Sequence, residues 1–528
     1  MDKVDYRRAG GLLIPDSSTG ETGMPRTWLI SLFAVFAAGA ALADTPAAPA
    51  PRVKTEGGWV TGAVASPSQA FRAIPYAAPP VGPLRWRPPQ PAASWKGDRD
   101  ASADGPACEQ TVSPDGRPNG GGYAGPVSED CLTLNVFTPP HAAKAPVMVW
   151  IFGGGNTAGA DSIAPNDGRF FARDGVVLVA MNYRLGPLGF FAHPSLTQAA
   201  SKREPLANYG LMDQVAALKW VKRNIAAFGG DPTNVTIFGE SAGGADVLTL
   251  MVTPAARGLF QKATVQSGGG WGKPVTLAQA ETSGAALATK LGLPDAATAD
   301  QLRAIPADKL VAGGGAQIVV DGRLVVETAA QGFARGHQAP APLIIGSNSW
   351  EASLLPPPSY AAYVDAAPTA VKAAYADEAG DPNKLAQSMF TDAVMAAPAR
   401  WFAAQASKKA GAWLYEFSYV RVVRRGKIPG ANHTSENPYV FDTQMIVPNY
   451  ASEIQDPDRQ VAAFMHSCWV SFAKTGKPVC GTGDPAWPAY QPATDQLMTF
   501  DAAPSVVAGY RKQQLDAQQT AQAAAPAP

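Results

Sequence analysis

The sequence predicts an α/β fold: a large, mostly parallel central sheet flanked by helices, with long helical insertions toward one end. Three observations predict it. Short apolar runs recur along the chain, a long segment of helical period separates two of them, and a glycine-rich turn joins a third to a further helix. Taken in order, the alternation begins after an Ala/Pro linker (44–52), with short strands to about Val64 and a Pro-rich, irregular stretch from Phe71 to Pro89. Leu132–Phe137 and Val147–Phe152 read as strands, and the uninterrupted apolar run Val176–Asn182 reads as a strand buried on both faces. Asn208–Phe228 carries Leu211, Val215, Leu218, Val221 and Ile225 at helical spacing and stops at Gly229-Gly230. Strands follow at Val235–Ile237, Lys262–Gln266, Pro342–Gly346 and Trp413–Phe417, with a helix over Asp458–Lys474. The Ala-rich region from about 275 to 405 reads as helical insertions over the C-terminal ends of the strands. One domain over 53–512 accounts for the 528-residue chain, and the Gln/Ala/Pro tail 513–528 is expected to lack structure.

The most informative segment is Phe238-Gly239-Glu240-Ser241-Ala242-Gly243-Gly244, between a β-branched run and a helix. Gly-x-Ser-x-Gly in that context is the nucleophile elbow of α/β-hydrolases, a turn too tight for side chains at its glycines. Upstream, Phe152-Gly153-Gly154-Gly155 follows an apolar run, where backbone N–H donors for an oxyanion are expected. Together they point to acyl transfer by an activated serine.

A serine hydroxyl needs a base, usually His, oriented by a carboxylate, and in this fold the chain order is Ser, acid, His. Elimination finds the base among five histidines. His141 and His193 precede the elbow, His337 lies in a polar turn, and His466 falls within a helical pattern. His433, in a loop after the strand Trp413–Phe417, is the expected base. Glu351, just beyond the run ending at Gly346, is the better-placed acid by position, and Asp321 is the runner-up in a context that reads first as a turn.

These residues carry a resemblance. Phe228-Gly229-Gly230-Asp231-Pro232 through Gly239-Glu240-Ser241-Ala242-Gly243, and Glu129-Asp130-Cys131-Leu132-Thr133-Leu134-Asn135, resemble the two signatures of the type-B carboxylesterase/cholinesterase family. Ile74–Pro80, Asn182–Arg184 and Asn208–Gln214 are similar to further blocks, so the likeness runs from about Val53 to Phe500. It implies a secreted, bacterial-type serine carboxylesterase acting on small neutral esters through an acyl-serine intermediate. Ser241 would be the nucleophile, Glu351 the acid and His433 the base, with oxyanion donors at Gly154, Gly155 and Ala242. It also implies a Cys108–Cys131 bridge and a supporting network through Ser267 and Glu436. Trp350 stands where the family commonly has a small acidic residue. A lipase, thioesterase or amidase would use the same triad, and family members that act as adhesion proteins have lost it. Choline esters are not expected as preferred substrates, because the loop Glu109–Asp130 offers Tyr123 as its one aromatic for cation–π contact.

Composition narrows the partners. Lys and Arg balance Asp and Glu at 43 each, and no basic stripe or acidic block exists, which argues against nucleic acid. No Cys or His pair has metal-ligand spacing, and no cofactor or metal is expected. Arg26, the apolar run from Trp28 and Ala41-Leu42-Ala43 have the order of a secretory signal (1–43) cleaved after Ala43, with Met24 as a possible true start. That run is shorter than the roughly 20 residues of a spanning helix, so no stable membrane span is expected after cleavage. Secretion or a periplasmic location fits the four cysteines. A Cys108–Cys131 bridge would close a Gly/Pro-rich loop and stabilise by about 3 kcal/mol. Cys468 and Cys480 are either a second bridge or two buried thiols.

Overall fold

The computed structural model describes residues 50–524, so the targeting segment and most of the linker lie outside the described residues. Eleven strands form the main sheet: β1 (Ala63–Ala65), β2 (Ser68–Pro75), β3 (Thr133–Thr138), β4 (Ala145–Ile151), β5 (Val177–Met181), β6 (Gly230–Glu240), β7 (Lys262–Gln266), β8 (Leu343–Asn348), β9 (Ala412–Phe417), β10 (Gln496–Phe500) and β11 (Ser505–Ala508). Their spatial order is β11-β10-β9-β8-β7-β6-β4-β5-β3-β2-β1. From β5 across to β10 every neighbouring pair is parallel, and antiparallel pairs close both edges. The parallel strands β5, β7 and β8 are buried along their whole length, as expected of strands covered on both faces.

Register aligns the strand ends that matter. Gly239 on β6 sits opposite Ile151 on β4, Glu240 opposite Gln266 on β7, Gln266 opposite Gly346 on β8, and Asn348 opposite Phe417 on β9. The segments that follow these strands therefore emerge along one rim, the usual location of sites in open parallel sheets. Below that rim Trp150 and Phe238 lie side by side with ring centroids 4.7 Å apart, and Phe441 packs on both.

Helix α1 (Tyr209–Asn224) buries Leu211, Val215, Leu218 and Val221, runs into a 3-10 turn and stops at Gly229, whose φ is 81°. Helix α2 (Ala242–Val252) begins directly after Ser241. The region from 275 to 405 is mostly helical, ending in α3 (Pro382–Thr391), a π-helical turn (Asp392–Ala396) and α4 (Ala397–Ala406). Helix α5 (Asp456–Thr475) covers the sheet, and both Cys108–Cys131 and Cys468–Cys480 are bridged.

Two segments differ from expectation. Phe71–Pro75 is not irregular but the second half of β2, whose ladder with β3 shifts between Phe71 and Ile74. At the shift Ala73 has φ 51°, and its N–H donates to the Asn135 side chain at 2.9 Å in place of a ladder partner. The tail is helical from Lys512 to Ala524 (α6), and with it the chain from Ala50 forms one compact unit. Leu515 is buried against Ala396 and Ala397, and the other anchors are polar. Arg511 pairs with Asp392 and Glu378, and Gln518 donates to the Tyr375 hydroxyl at 3.0 Å.

Candidate active site

Ser241 caps α2 with φ 55° and ψ −125°, a conformation that L-residues rarely adopt and that lifts its side chain off the sheet. The turn holds because its neighbours are glycines. A Cβ on Gly243 would strike the carbonyl of Ile151, and one on Gly153 would lie 2.8 Å from a Glu240 carboxyl oxygen and 2.9 Å from Ser241 Cβ. The Ser241 N–H donates to Gln266 O at 2.8 Å, tying the elbow to β7.

Beyond β4 the chain passes through Gly154 (φ 83°), Gly155 (φ 65°) and Asn156 (φ 56°), three consecutive left-handed residues. This curl brings Gly153 against Ser241, so the expected oxyanion donors belong to the same corner as the first residue of α2, Ala242. As the first residue of its helix, Ala242 has an N–H with no intrahelical acceptor.

Glu351 follows β8 in a short 3-10 turn and is fully buried. Its Oε1 accepts from Ser267 Oγ at 2.5 Å and from the Asn348 N–H at 2.7 Å, while Oε2 lies 2.6 Å from His433 Nδ1. The loop carrying His433 is fastened to the Glu351 turn. Trp350 N donates to Ala431 O at 2.9 Å, Ala431 N to Ser349 Oγ at 3.0 Å, and His433 N to Ser353 Oγ at 3.0 Å. Glu436 is fully buried and accepts from the Asn348 and Gln266 amides. The structure thus brings Glu351, His433, Ser267 and Glu436 into one buried network at the rim where Ser241 emerges. Asp321 belongs elsewhere, accepting from the N–H groups of Leu206, Arg323, Leu324 and Val325 in a turn. His337 meets Glu327, and His466 bridges Val440 O and Asp174.

Glu240, the variable residue of the elbow motif, was not singled out by sequence reasoning. Its Oε1 is 3.1 Å from His433 Nε2, in a geometry too poor for a hydrogen bond. Burial pushes its carboxyl up to about 8. Burial opposes charge on His433, but the facing carboxylates of Glu240 and then Glu351 outweigh it and lift the imidazole to about 10. The two groups, 3.1 Å apart, compete for protons, and a neutral Glu240 removes the larger of the two charge attractions on His433. The signal for Glu240 lay inside the motif itself, where a carboxylate next to a nucleophile must either face it or be buried.

A cavity of about 290 Å³ opens beside these groups, lined by Asn119–Gly122, Phe152–Gly154, Glu240, Thr434 and Asn437 among others. Glu240 is the one carboxylate in that lining, which holds no Lys, Arg or His. Tyr123 does not line it; its hydroxyl donates to Pro126 O at 2.7 Å and its ring is buried in a cluster with Ala107 and Ala160. Among the described residues, no group of three or more His, Cys, Asp or Glu is placed to hold a metal ion.

A sequence profile of the Carboxylesterase family matches residues 49–381 and 362–518. The chain belongs to this family. It is 36% identical over 484 residues to the para-nitrobenzyl esterase of Bacillus subtilis (strain 168), covering 85% of this chain and 94% of that protein. To the fumonisin B1 esterase of Sphingopyxis macrogoltabida it is 34% identical, covering 84% and 85%. A solved PNB esterase structure superposes with a TM-score of 0.76 at 34% identity, covering 88% of this chain and 99% of that one. A carboxylesterase of Geobacillus stearothermophilus gives 0.77 at 32% identity, covering 89% and 100%. This family member has the α/β-hydrolase fold and is a carboxylic ester hydrolase with small-molecule ester substrates. Among the described residues, no helix is long and apolar enough to cross a membrane.

Proposed function

We propose that the protein hydrolyses neutral carboxylic esters through an acyl-Ser241 intermediate, with His433 as base and Glu351 as its orienting acid. The observation that carries this reading is the imidazole of His433. Its Nδ1 is held 2.6 Å from Glu351, while its Nε2, which faces Glu240 Oε1 at 3.1 Å, has no protein hydrogen-bond partner and is left free for a serine proton. His433 takes the Ser241 proton as Oγ adds to the ester carbonyl carbon. The resulting oxyanion is held by the N–H groups of Gly154, Gly155 and Ala242, each such donor being worth about 3 kcal/mol. The carbon–oxygen bond to the alcohol breaks and the alcohol leaves with the proton from His433. Water then adds to the acyl group, giving its proton to His433, and the acid departs as Ser241 is reprotonated.

A cavity lined by no Lys, Arg or His, and by one carboxyl group that burial pushes toward its neutral form, favours uncharged substrates. The order of residues 26–43 supports export, with the mature chain beginning at Asp44; N-terminal sequencing of exported protein checks that start. The decisive experiment is single-turnover hydrolysis of p-nitrophenyl acetate, butyrate and octanoate by wild type and Ser241→Ala. A burst of nitrophenol equal to the enzyme concentration, absent in the variant, is the expected result. Equal hydrolysis by both proteins would remove Ser241 from the chemistry.

A further inference from the structure

The proposed oxyanion donors come from two separate pieces of chain, the loop after β4 and the start of α2, and something must hold them in register. We infer that a buried Asn156–Asp246 clamp does so, which makes both positioning residues for the acyl-serine reaction on which this inference rests. Asn156 is the third of three left-handed residues and is 5% exposed; asparagine tolerates that conformation better than other side-chain-bearing residues. Its side chain is fixed at both ends. Asn156 Nδ2 donates to Asp246 Oδ1 at 3.0 Å, and the Tyr183 hydroxyl reaches Asn156 Oδ1 at 3.0 Å and Phe152 O at 2.7 Å. The Gly186 N–H donates to the Asn156 carbonyl at 2.7 Å. The two ends of the Phe152–Asn156 curl are therefore pinned to one tyrosine.

Asp246 supplies the other half. It lies on α2, the helix that opens with Ala242, and is completely buried. Its second oxygen accepts from Gln214 Nε2 on α1 at 2.6 Å. The carboxyl thus ties the glycine loop to the nucleophile helix and that helix to α1. Burial also lifts it to about 7, so the bond to Asn156 forms at a cost in desolvation that a merely space-filling residue would not incur. A small displacement of either piece would move two donors relative to the third, and transition-state stabilisation is sensitive to shifts of that size.

The test separates the side chain from the backbone. Asn156→Gly keeps the left-handed φ free of strain while deleting both side-chain bonds. Asp246→Leu fills the same space without an acceptor. Asp246→Asn keeps an acceptor for Asn156, and its amide N–H₂ can donate to Gln214 Oε1, which has no partner. Active-site titration first normalises each preparation to folded, acylatable enzyme. Asn156→Gly and Asp246→Leu are then expected to lower kcat for p-nitrophenyl butyrate about 10- to 100-fold with KM nearly unchanged. Affinity for an aryl trifluoromethyl ketone, whose serine adduct places an oxyanion at the donors, should fall in parallel. Asp246→Asn should recover most of both, and the Asn156→Gly/Asp246→Leu pair should cost little more than either single change. Wild-type kcat per titrated site and wild-type ketone affinity in Asn156→Gly would overturn the clamp. That result differs from failure of the acyl-serine reading, in which Ser241→Ala itself would retain activity.

Discussion

At the level of single residues, the site turns on how Glu240 and His433, 3.1 Å apart, compete for protons. A general base must be neutral to act, so hydrolysis should rise with pH as that pair loses its proton. With an ionised Glu240 beside it, His433 holds its proton to about 10. Glu240→Gln removes the larger carboxylate attraction on the imidazole, lowers its affinity for the proton, and should move the acidic limb of the kcat/KM profile to lower pH. An unmoved or raised limb would show that Glu240 does not face the base in the working enzyme. The proposed acid, Glu351, has a different signature. Glu351→Gln keeps the volume but puts an amide where Nδ1–H needs a carboxylate, and kcat should fall by about 10³-fold or more, read by single-turnover acylation. Most of these residues could be found in the sequence because the fold imposes their chain order and each follows a strand. What the sequence withheld was pairing in space: Glu240 against His433, and Asn156 against Asp246, join residues whose neighbours in sequence give no hint of contact.

Among the elements, the parallel strands were readable because burial on both faces leaves uninterrupted apolar runs such as Val177–Met181. The second half of β2 was not, because its bulge is satisfied by Asn135, a residue distant in sequence. Helix α6 escaped for a related reason. Its Gln/Ala composition has little apolar surface, and it is held by Arg511, which inserts between Asp392 and Glu378 on elements that sequence cannot bring together. Asp392 is 1% exposed and opens the π-helical turn, while the preceding Thr391 accepts from the N–H of Ala352, next to the acid Glu351, at 3.3 Å. Arg511→Met should leave two buried carboxylates facing each other and cost about 3 kcal/mol of stability, measured as a lower denaturant midpoint. Arg511→Lys should recover part of that loss. A midpoint unchanged in Arg511→Met would mean that α6 rests on the body without being held by charge.

Across the whole molecule, the cross-links connect stability to substrate choice. Cys108 and Cys131 close a loop whose residues Asn119–Gly122 form one wall of the cavity beside Ser241. Asn119 organises that wall from within: its side-chain Oδ1 accepts from the N–H groups of Gly121 and Tyr123, and its Nδ2 donates to Gln110 Oε1. The loop is therefore a small glycine-rich structure held at its base by sulfur, with its one aromatic ring turned inward. That wall offers backbone and glycine rather than a π face, and the aromatics of the cavity, Trp150, Phe152 and Tyr450, lie outside the disulfide-closed loop, so choline esters should be cleaved no better than their uncharged dimethylbutyl analogues. Tight, salt-dependent preference for the cation would contradict this placement of Tyr123. Removing the bridge by Cys108→Ser with Cys131→Ser should lower the unfolding free energy by about 3 kcal/mol through the entropy of the opened loop. It should also raise KM for esters of bulky alcohols while leaving methyl esters nearly unaffected, because the cavity wall moves but the proposed triad does not. Equal effects on both ester classes would place the loop's contribution in global stability alone; a KM change confined to bulky alcohols would place alcohol selection in the disulfide-closed loop.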